Sequence, residues 1–330
     1  VLLGAGFGSG EGVILSGSVS QNNIFGSGKH VTAQVNSSKI NTVYALSYTD
    51  PYYTLDGVSR GFDVYTRKLD AIDSGFGQYR TKTTGGNIRF GVPITEIDTI
   101  QYGLGYETTK IDVFDGSPLI YTDYVKTFGS SNSTILGSAG WIRDGRDSLI
   151  YPTAGALNKA FVETGLPGGT LKYYKLNYQH QHYFPLSSTL TLMLNGEIGY
   201  GNGYGDKPLS FFKNFYAGGV SSVRGYKTFT IGPKDSNGDP RGGSRKLLAN
   251  AELLFPFPGL DKDKSVRVGT FVDAGMVGDT YNSTDLRYSA GLSVLWVSPF
   301  GPLKVSVAKP LKKEPLDRTQ FFQFTFGGTF

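Results

Sequence analysis

Apolar residues alternate with small or polar ones, with a period of two, along nearly the whole of this 330-residue chain. In segment 286–297, Leu286, Tyr288, Ala290, Leu292, Val294 and Trp296 are apolar or aromatic, and Arg287, Ser289, Gly291 and Ser293 lie between them. Leu190, Leu192, Leu194, Ile198 and Tyr200 alternate in the same way with Thr189, Thr191, Asn195, Glu197 and Gly199. Ile100, Tyr102, Leu104 and Tyr106 alternate with Gln101, Gly103, Gly105 and Glu107. Successive strand side chains point to opposite faces, so each segment has one greasy face and one small or polar face. No stretch shows a convincing helical period, and no apolar run approaches the ~18 residues of a membrane helix. An all-β fold follows.

Sixteen candidate strands are predicted, at 1–8, 12–21, 29–38, 41–50, 57–69, 83–93, 98–110, 132–144, 154–165, 170–185, 188–201, 246–256, 264–274, 284–298, 302–312 and 319–329. The number is even, and strands of about ten residues cross a bilayer when tilted. From the fifth strand onward, long connections (70–82, 111–131, 202–245, 275–283) mostly alternate with tight ones (94–97, 186–187, 299–301). Outer-membrane barrels have this asymmetry, with long outer loops and short periplasmic turns. Aromatics gather beside the tight turns, at Pro51-Tyr52-Tyr53, Tyr183-Phe184-Pro185, Phe255-Pro256-Phe257 and from Trp296 to Phe300, as in an interfacial girdle. A soluble sandwich has no use for rings ranked on one side. The expected fold is a 16-stranded antiparallel transmembrane β-barrel over 1–330, one domain, with both termini periplasmic and 202–245 as a long extracellular loop.

Composition excludes other classes. Glycine, at 46 residues, is about twice as frequent as the ~7 % of an average protein, but without a period of three there is no collagen repeat. Aromatics at 14 % argue against disorder. The chain has no cysteine, hence no disulfide framework, thiolate metal site or cysteine nucleophile. Its first residues, Val1-Leu2-Leu3-Gly4-Ala5-Gly6, carry no basic n-region or cleavable h-region, which reads as a mature protein or an excised domain. A net charge of +5 without a basic block is weak evidence for a polyanionic partner, and no nucleic acid is expected.

Signals for chemistry are sparse. His180 and His182 share a strand face and have the spacing to bind a metal; the simpler account is polar aromatics near a membrane interface. No nucleophile elbow or phosphate-binding Gly-Lys loop occurs. The glycines at 4, 6, 8, 10 and 12 repeat every second residue and belong to a strand and hairpin. No enzyme activity, cofactor or metal is expected.

The informative stretch is Phe215-Tyr216-Ala217-Gly218-Gly219-Val220-Ser221-Ser222-Val223-Arg224-Gly225-Tyr226, inside the long loop. With Thr230-Ile231-Gly232-Pro233-Lys234, Ala251-Glu252-Leu253-Leu254-Phe255-Pro256, Phe271-Val272-Asp273-Ala274-Gly275, Ser298-Pro299-Phe300-Gly301-Pro302-Leu303 and the ending Phe322-Gln323-Phe324-Thr325-Phe326, it resembles the BamA family. These are the central barrels of the outer-membrane β-barrel assembly machinery. Their superfamily also holds two-partner secretion transporters and TamA-type assembly factors. Upstream, Arg143-Asp144 and Tyr151-Pro152-Thr153-Ala154-Gly155 resemble the superfamily's mid-barrel turn. The family's periplasmic POTRA repeats would precede Val1, and the loop is shorter than in some members and lacks a cysteine pair.

Parity gives direction to the charges. Leu247, Ala249, Ala251, Leu253 and Phe255 face outward, so Glu252 faces the lumen; Val266, Val268 and Val272 face lipid, so Arg267 and Asp273 face inward. A loop folding inward brings Arg224 to two carboxylates, and a guanidinium fork suits such pairing. Scattered lumen charges are the alternative. The resemblance implies that Val223, Arg224, Gly225 and Tyr226 tether the loop through Glu252 and Asp273.

Closing the barrel pairs the first strand with the last. Val1, Leu2, Leu3, Gly4, Ala5, Gly6, Phe7 and Gly8 meet Phe322, Gln323, Phe324, Thr325, Phe326, Gly327 and Gly328. Glycine weakens strands, and a weak seam exposes edges that template strand addition. Relief of crowding in the lumen is the bland account of the same glycines. The resemblance implies lateral opening, with an incoming barrel's C-terminal strand pairing with the first strand. Phe322, Phe324, Phe326 and Phe330 also look like the C-terminal signal by which barrels are themselves recognised. The function implied is folding and insertion of β-barrel proteins into the Gram-negative outer membrane. Unfolded barrel clients, accessory lipoproteins, outer-membrane lipid and lipopolysaccharide are the implied partners. A superfamily transporter and a passive porin are the alternatives.

Overall fold

The computed structural model describes residues 1–259, 265–298 and 301–327. Pro299, Phe300, Gly328 and Phe330 lie outside the described residues. Those described form sixteen strands. They are β1 (Leu2–Gly8), β2 (Gly12–Gln21), β3 (His30–Ser37), β4 (Asn41–Asp50), β5 (Ser59–Asp70), β6 (Tyr79–Pro93), β7 (Asp98–Val113) and β8 (Ser131–Asp144). The second half comprises β9 (Gly155–Leu166), β10 (Tyr173–Pro185), β11 (Thr191–Gly203), β12 (Arg245–Pro256), β13 (Val266–Gly278), β14 (Arg287–Ser298), β15 (Gly301–Lys312) and β16 (Phe322–Phe326). Each pairs antiparallel with its chain neighbours, and β16 returns to β1 to close the barrel. Closure satisfies backbone groups that lipid cannot.

The faces follow the alternation. On β7, Tyr102, Leu104 and Tyr106 are 45, 56 and 56 % exposed on the outside, whereas Glu107, one residue on, is 3 % exposed. Gly103 and Gly105 take the inward positions between them.

Several strands run further toward the long-loop end than the alternation predicts. β6 begins at Tyr79, β7 continues to Val113 and β13 to Gly278, because Tyr79, Ile111, Val113 and Val277 there pack inward under the loops while the backbone still pairs across the sheet. The last strand begins at Phe322 rather than at 319, and its described part runs to Phe326. At its start, Thr319 bridges to Tyr226 and the Gln320 amide donates to the Gly225 carbonyl at 2.8 Å, so these residues serve the loop. At its end, Gly327 takes a φ of 67° and its amide turns to the Pro302 carbonyl at 3.0 Å.

The expectation of no helix is corrected. A short helix, α1 (Ala71–Ser74), is capped by the Asp70 carboxylate, which accepts from the Asp73 amide at 2.9 Å. A longer one, α2 (Leu119–Phe128), starts after Pro118 and stops at Gly129. Tyr121, Tyr124, Val125 and Phe128 recur at helical spacing on α2, and the first three pack into an aromatic roof with Phe76, Tyr79, Phe211, Tyr216 and Phe229. Ten residues between two strands were too few for that period to stand out. The apolar core thus sits inside the barrel at the long-loop end.

Leu104 lies opposite Ile88 on the outer face. Leu104→Arg is expected to lower unfolding free energy in phospholipid vesicles by about 2–4 kcal/mol, as a cation near the bilayer midplane does. Urea titration checks it, and an unchanged midpoint would mean this face does not meet lipid.

Candidate functional site

The 204–244 connection between β11 and β12 folds into the lumen, leaving a cavity of about 600 Å³ between Gly218–Ser222 and the inner face of β1 to β3. Two isolated bridges, Phe215–Gly243 and Ala217–Ile231, fold it into an inward arm. At its tip Gly225, with φ of 91°, takes a conformation that favours glycine, and the preceding Arg224 reaches the wall.

Arg224 is 3 % exposed and makes a fork with Asp273 on β13. Nε donates to Oδ2 and Nη2 to Oδ1, each at 2.8 Å, while Nη1 donates to Glu252 Oε2 on β12 at 3.0 Å. The Arg224 backbone amide adds a bond to Asp273 Oδ2 at 3.0 Å. The guanidinium carbon lies 3.3 Å from the Phe271 ring centroid. Each carboxylate has further donors: Asn250 Nδ2 to Asp273 Oδ1 at 2.9 Å, and the Ser293 hydroxyl to Glu252. Asn250 also donates to the Ser222 carbonyl at 2.8 Å, holding the arm beside the ion pair. Burial alone would lower the guanidinium's pKa; hydrogen bonds and charge from Asp273, with Glu252 adding to them, outweigh it and hold the pKa above its ordinary value. The cation is permanent at any physiological pH.

Small residues on the wall make room for the arm. A Cβ at Gly275 would lie 2.5 Å from Val223 Cγ2 and 2.7 Å from Leu248 Cδ2. Val223 is fully buried in a cluster with Ala217, Tyr226, Ile231, Leu248 and Val277. Tyr226 donates its hydroxyl to the Lys312 and Tyr288 carbonyls, reaching β14 and β15.

Three positions are not singled out by sequence reasoning as contacts of this region. Lys213, on the arm's descending limb, is buried between Glu107 on β7 at 2.9 Å and Glu163 on β9 at 3.1 Å. Burial would lower its pKa, but Glu163, Tyr173 and Glu107 together drive it well above the usual lysine value. Arg267, read only as a lumen charge, donates to the Pro152 carbonyl at 2.6 Å and lies over the Tyr151 ring at 4.2 Å. It thereby holds the 145–154 turn at the other end of the barrel. Gln323, placed by sequence in the seam, turns inward: its Oε1 accepts from the Gly225 amide at 3.0 Å and its Nε2 donates to the Tyr226 carbonyl at 2.8 Å. A lone inward charge or amide on a strand carries no sequence mark of its partner. His180 and His182 pack as rings 5.8 Å apart, with His182 stacked on Phe184, and among the described residues no cluster of metal-ligating side chains occurs.

At the seam, the described residues of β1 and β16 meet in register through Phe7 opposite Phe326 and Gly8 opposite Thr325, and the Ser9 amide donates to the Phe324 carbonyl at 2.9 Å. On its other side β1 pairs with β2 along its whole length, from Leu2 opposite Ser18 to Gly8 opposite Gly12. In that seam register the positions opposite Ala5, Gly4 and Leu3 are 328, 329 and 330, which lie outside the described residues, and Val1 precedes the strand. Outside, Phe7 stacks on Phe324 at 5.5 Å, and Phe322 lies 5.8 Å from Phe324. Inside, a Cβ at Gly6 would lie 2.6 Å from the Phe326 carbonyl oxygen.

Comparison with known proteins agrees with this geometry. The Omp85 superfamily domain matches residues 23–330. The chain is 41 % identical to the outer membrane protein assembly factor BamA of Neisseria meningitidis, over 99 % of this chain and 46 % of that protein. It is 30 % identical to the BamA of Nitratidesulfovibrio vulgaris, over 96 % of this chain and 40 % of that protein. It therefore spans less than half the length of these curated relatives. The crystal structure of BamA from Haemophilus ducreyi lacking POTRA domains 1–3 matches with a TM-score of 0.93 and 31 % identity, over 99 % of this chain and 69 % of that one.

Removing Arg224 strands two buried carboxylates. Arg224→Ala is expected to cost about 3–5 kcal/mol, the range for breaking a buried ion pair from one side, and to open 204–244 to protease. Gly275→Val should unseat the arm with every charge intact, and Val223→Ala in the same chain should restore part of the protection. Limited proteolysis of the refolded barrel reads both, and a resistant Gly275→Val arm would refute the packing account.

Proposed function

The chain belongs to the Omp85 superfamily, and on that premise we propose that residues 1–330 are the single barrel domain of an outer-membrane protein assembly factor. The barrel sits in the outer membrane of a Gram-negative bacterium, where it folds and inserts other β-barrels. No bond chemistry is involved and no cofactor is needed. The driving force is burial of the client's apolar face together with completion of its backbone hydrogen bonds in lipid. Clients enter through a lateral gate between β1 and β16, where a client strand pairs with the β1 edge. Val223, Arg224, Gly225 and Tyr226, held by Glu252 and Asp273, keep the loop seated while this happens. Periplasmic POTRA repeats and accessory lipoproteins deliver the client, and outer-membrane lipid and lipopolysaccharide surround the barrel.

The observation that carries this reading is the likeness to BamA assembly factors along 99 % of the chain. At the seam, Gly4, Gly6 and Gly8 leave β1 with little side-chain packing to hold it to β16. A β1 edge freed from β16 is costly in lipid, and a client strand is what satisfies it. A passive porin fits less well, because the inward arm is fixed to the wall by buried charge at both Arg224 and Lys213.

A reversible cross-link tests the gate. An ideal Cβ at Gly8 lies 3.8 Å from Thr325 Cβ, within the disulfide range, and the chain has no cysteine to compete. Gly8→Cys with Thr325→Cys, placed in the full-length protein, should fold normally. Oxidised, it should lose assembly of a barrel client in proteoliposomes, and reductant should restore it. Full assembly by the oxidised protein would exclude lateral opening.

A further inference from the structure

On the outer face of β5, β6 and β7 three lysines stand side by side. Lys68 is directly opposite Lys82, and Lys82 is directly opposite Lys110. All three are exposed, and among the described residues no carboxylate lies within 4.0 Å of any of them. Like charges directly opposite each other destabilise a sheet. Adjacent strands are about 4.8 Å apart, so the row spans about 10 Å.

Its height is set by the same strands. Toward the periplasm the outward rows become Thr66–Thr84–Thr108, then Val64–Gly86–Tyr106, then Phe62–Ile88–Leu104, down to the stacked pair Phe90 and Tyr102. Eight residues of strand at ~3.4 Å each, tilted about 40°, place the lysines about 20 Å above that aromatic pair. The row therefore lies at the upper rim of the apolar band, where outer-leaflet headgroups begin. One row further out, Arg80 is taken by Asp70 at 2.6 Å, and Asp112 stands opposite Arg80. The acidic side chains of that row repel an anion from above, which leaves the membrane side as its approach.

The geometry points to Lys68, Lys82 and Lys110 as a binding site for the phosphates of an outer-leaflet glycolipid headgroup. The hydroxyls of Thr66 and Thr84, 3.1 Å apart just beneath, face the level of the lipid's sugar and ester groups. Ammonium groups act on phosphate as point charges, and a row of three suits a headgroup bearing more than one phosphate. The bound anion offsets the repulsion that the row carries when empty. This inference needs only the barrel's place in the outer membrane and is independent of the gate.

Native mass spectrometry of the detergent-solubilised barrel tests it, with bis-phosphorylated lipid A, the same lipid stripped of its phosphates, and phosphatidylglycerol as probes. Wild type should retain the bis-phosphorylated form about ten-fold better than the stripped form, with phosphatidylglycerol well below it, as charge-assisted contacts would give. The triple variant Lys68→Gln, Lys82→Gln, Lys110→Gln should lose about five-fold or more of that retention, and the triple Lys→Arg variant should keep it. Without lipid A, the triple Gln variant should unfold at a higher urea concentration than wild type, because the repulsion is gone. Lys82→Gln alone, at the centre of the row, should show the same trends at smaller amplitude. Equal retention of phosphorylated and stripped lipid, or retention unaffected by the Gln substitutions, would overturn the site. Equal retention of phosphatidylglycerol would overturn the assignment to a multiply phosphorylated headgroup, and a lower urea midpoint would overturn the like-charge argument.

Discussion

A strand in lipid has no water to bond its amides and carbonyls, and that requirement governs the whole molecule. It forces the sheet to close, it sends the apolar half of each alternating strand outward, and it leaves the polar half to be satisfied inside. The protein is therefore inverted relative to a soluble domain. Its large hydrophobics lie on the outside, and its buried interior is built from a loop.

The interior depends on charge placed with care. Arg224 is desolvated, a costly state that is tolerable only because two carboxylates, an aromatic face and their accessory donors surround it. Lys213 repeats the arrangement on another sector of the wall with Glu107, Glu163 and Tyr173. Two separated anchors fix the orientation of the arm as well as its depth, since one ion pair leaves a hinge and two do not. Arg267 closes the opposite mouth by holding the Tyr151–Pro152 turn. Each of these cations is bound to oxygen atoms of a different chain segment, so the lumen is stitched across strands that are distant in sequence.

Much of this was legible in the sequence, for a physical reason. Lipid on one side and a crowded lumen on the other impose strict parity, so strand number, strand order and the inward direction of Glu252 and Asp273 can be read from alternation alone. Parity says nothing about partners across the lumen, which is why Lys213 and Gln323 gave no signal as loop contacts. It also misjudges strand ends where the outward side chains become charged and the inward ones apolar, as at Tyr79–Lys82 and Ile111–Val113, because the wall there stands above the lipid and its inner face packs under the roof. The helix α2 was missed because its apolar stripe packs on a roof made by other loops rather than on a sheet. The late start of β16 was hidden for a different reason: the residues before it, Arg318 to Gln320, bond to the Gly225–Lys227 stretch of the loop in place of a regular neighbour.

Gln323 gives this arrangement a mechanical side. One side-chain amide grips both the Gly225 amide and the Tyr226 carbonyl, while Gln320 and Arg318 add backbone links to the same tip. The terminal strand is thus riveted to the plug at its upper end, through Gln323 and the residues just before it. Force applied to either part is transmitted to the other unless that amide lets go, so plug and terminal strand behave as one rigid lever.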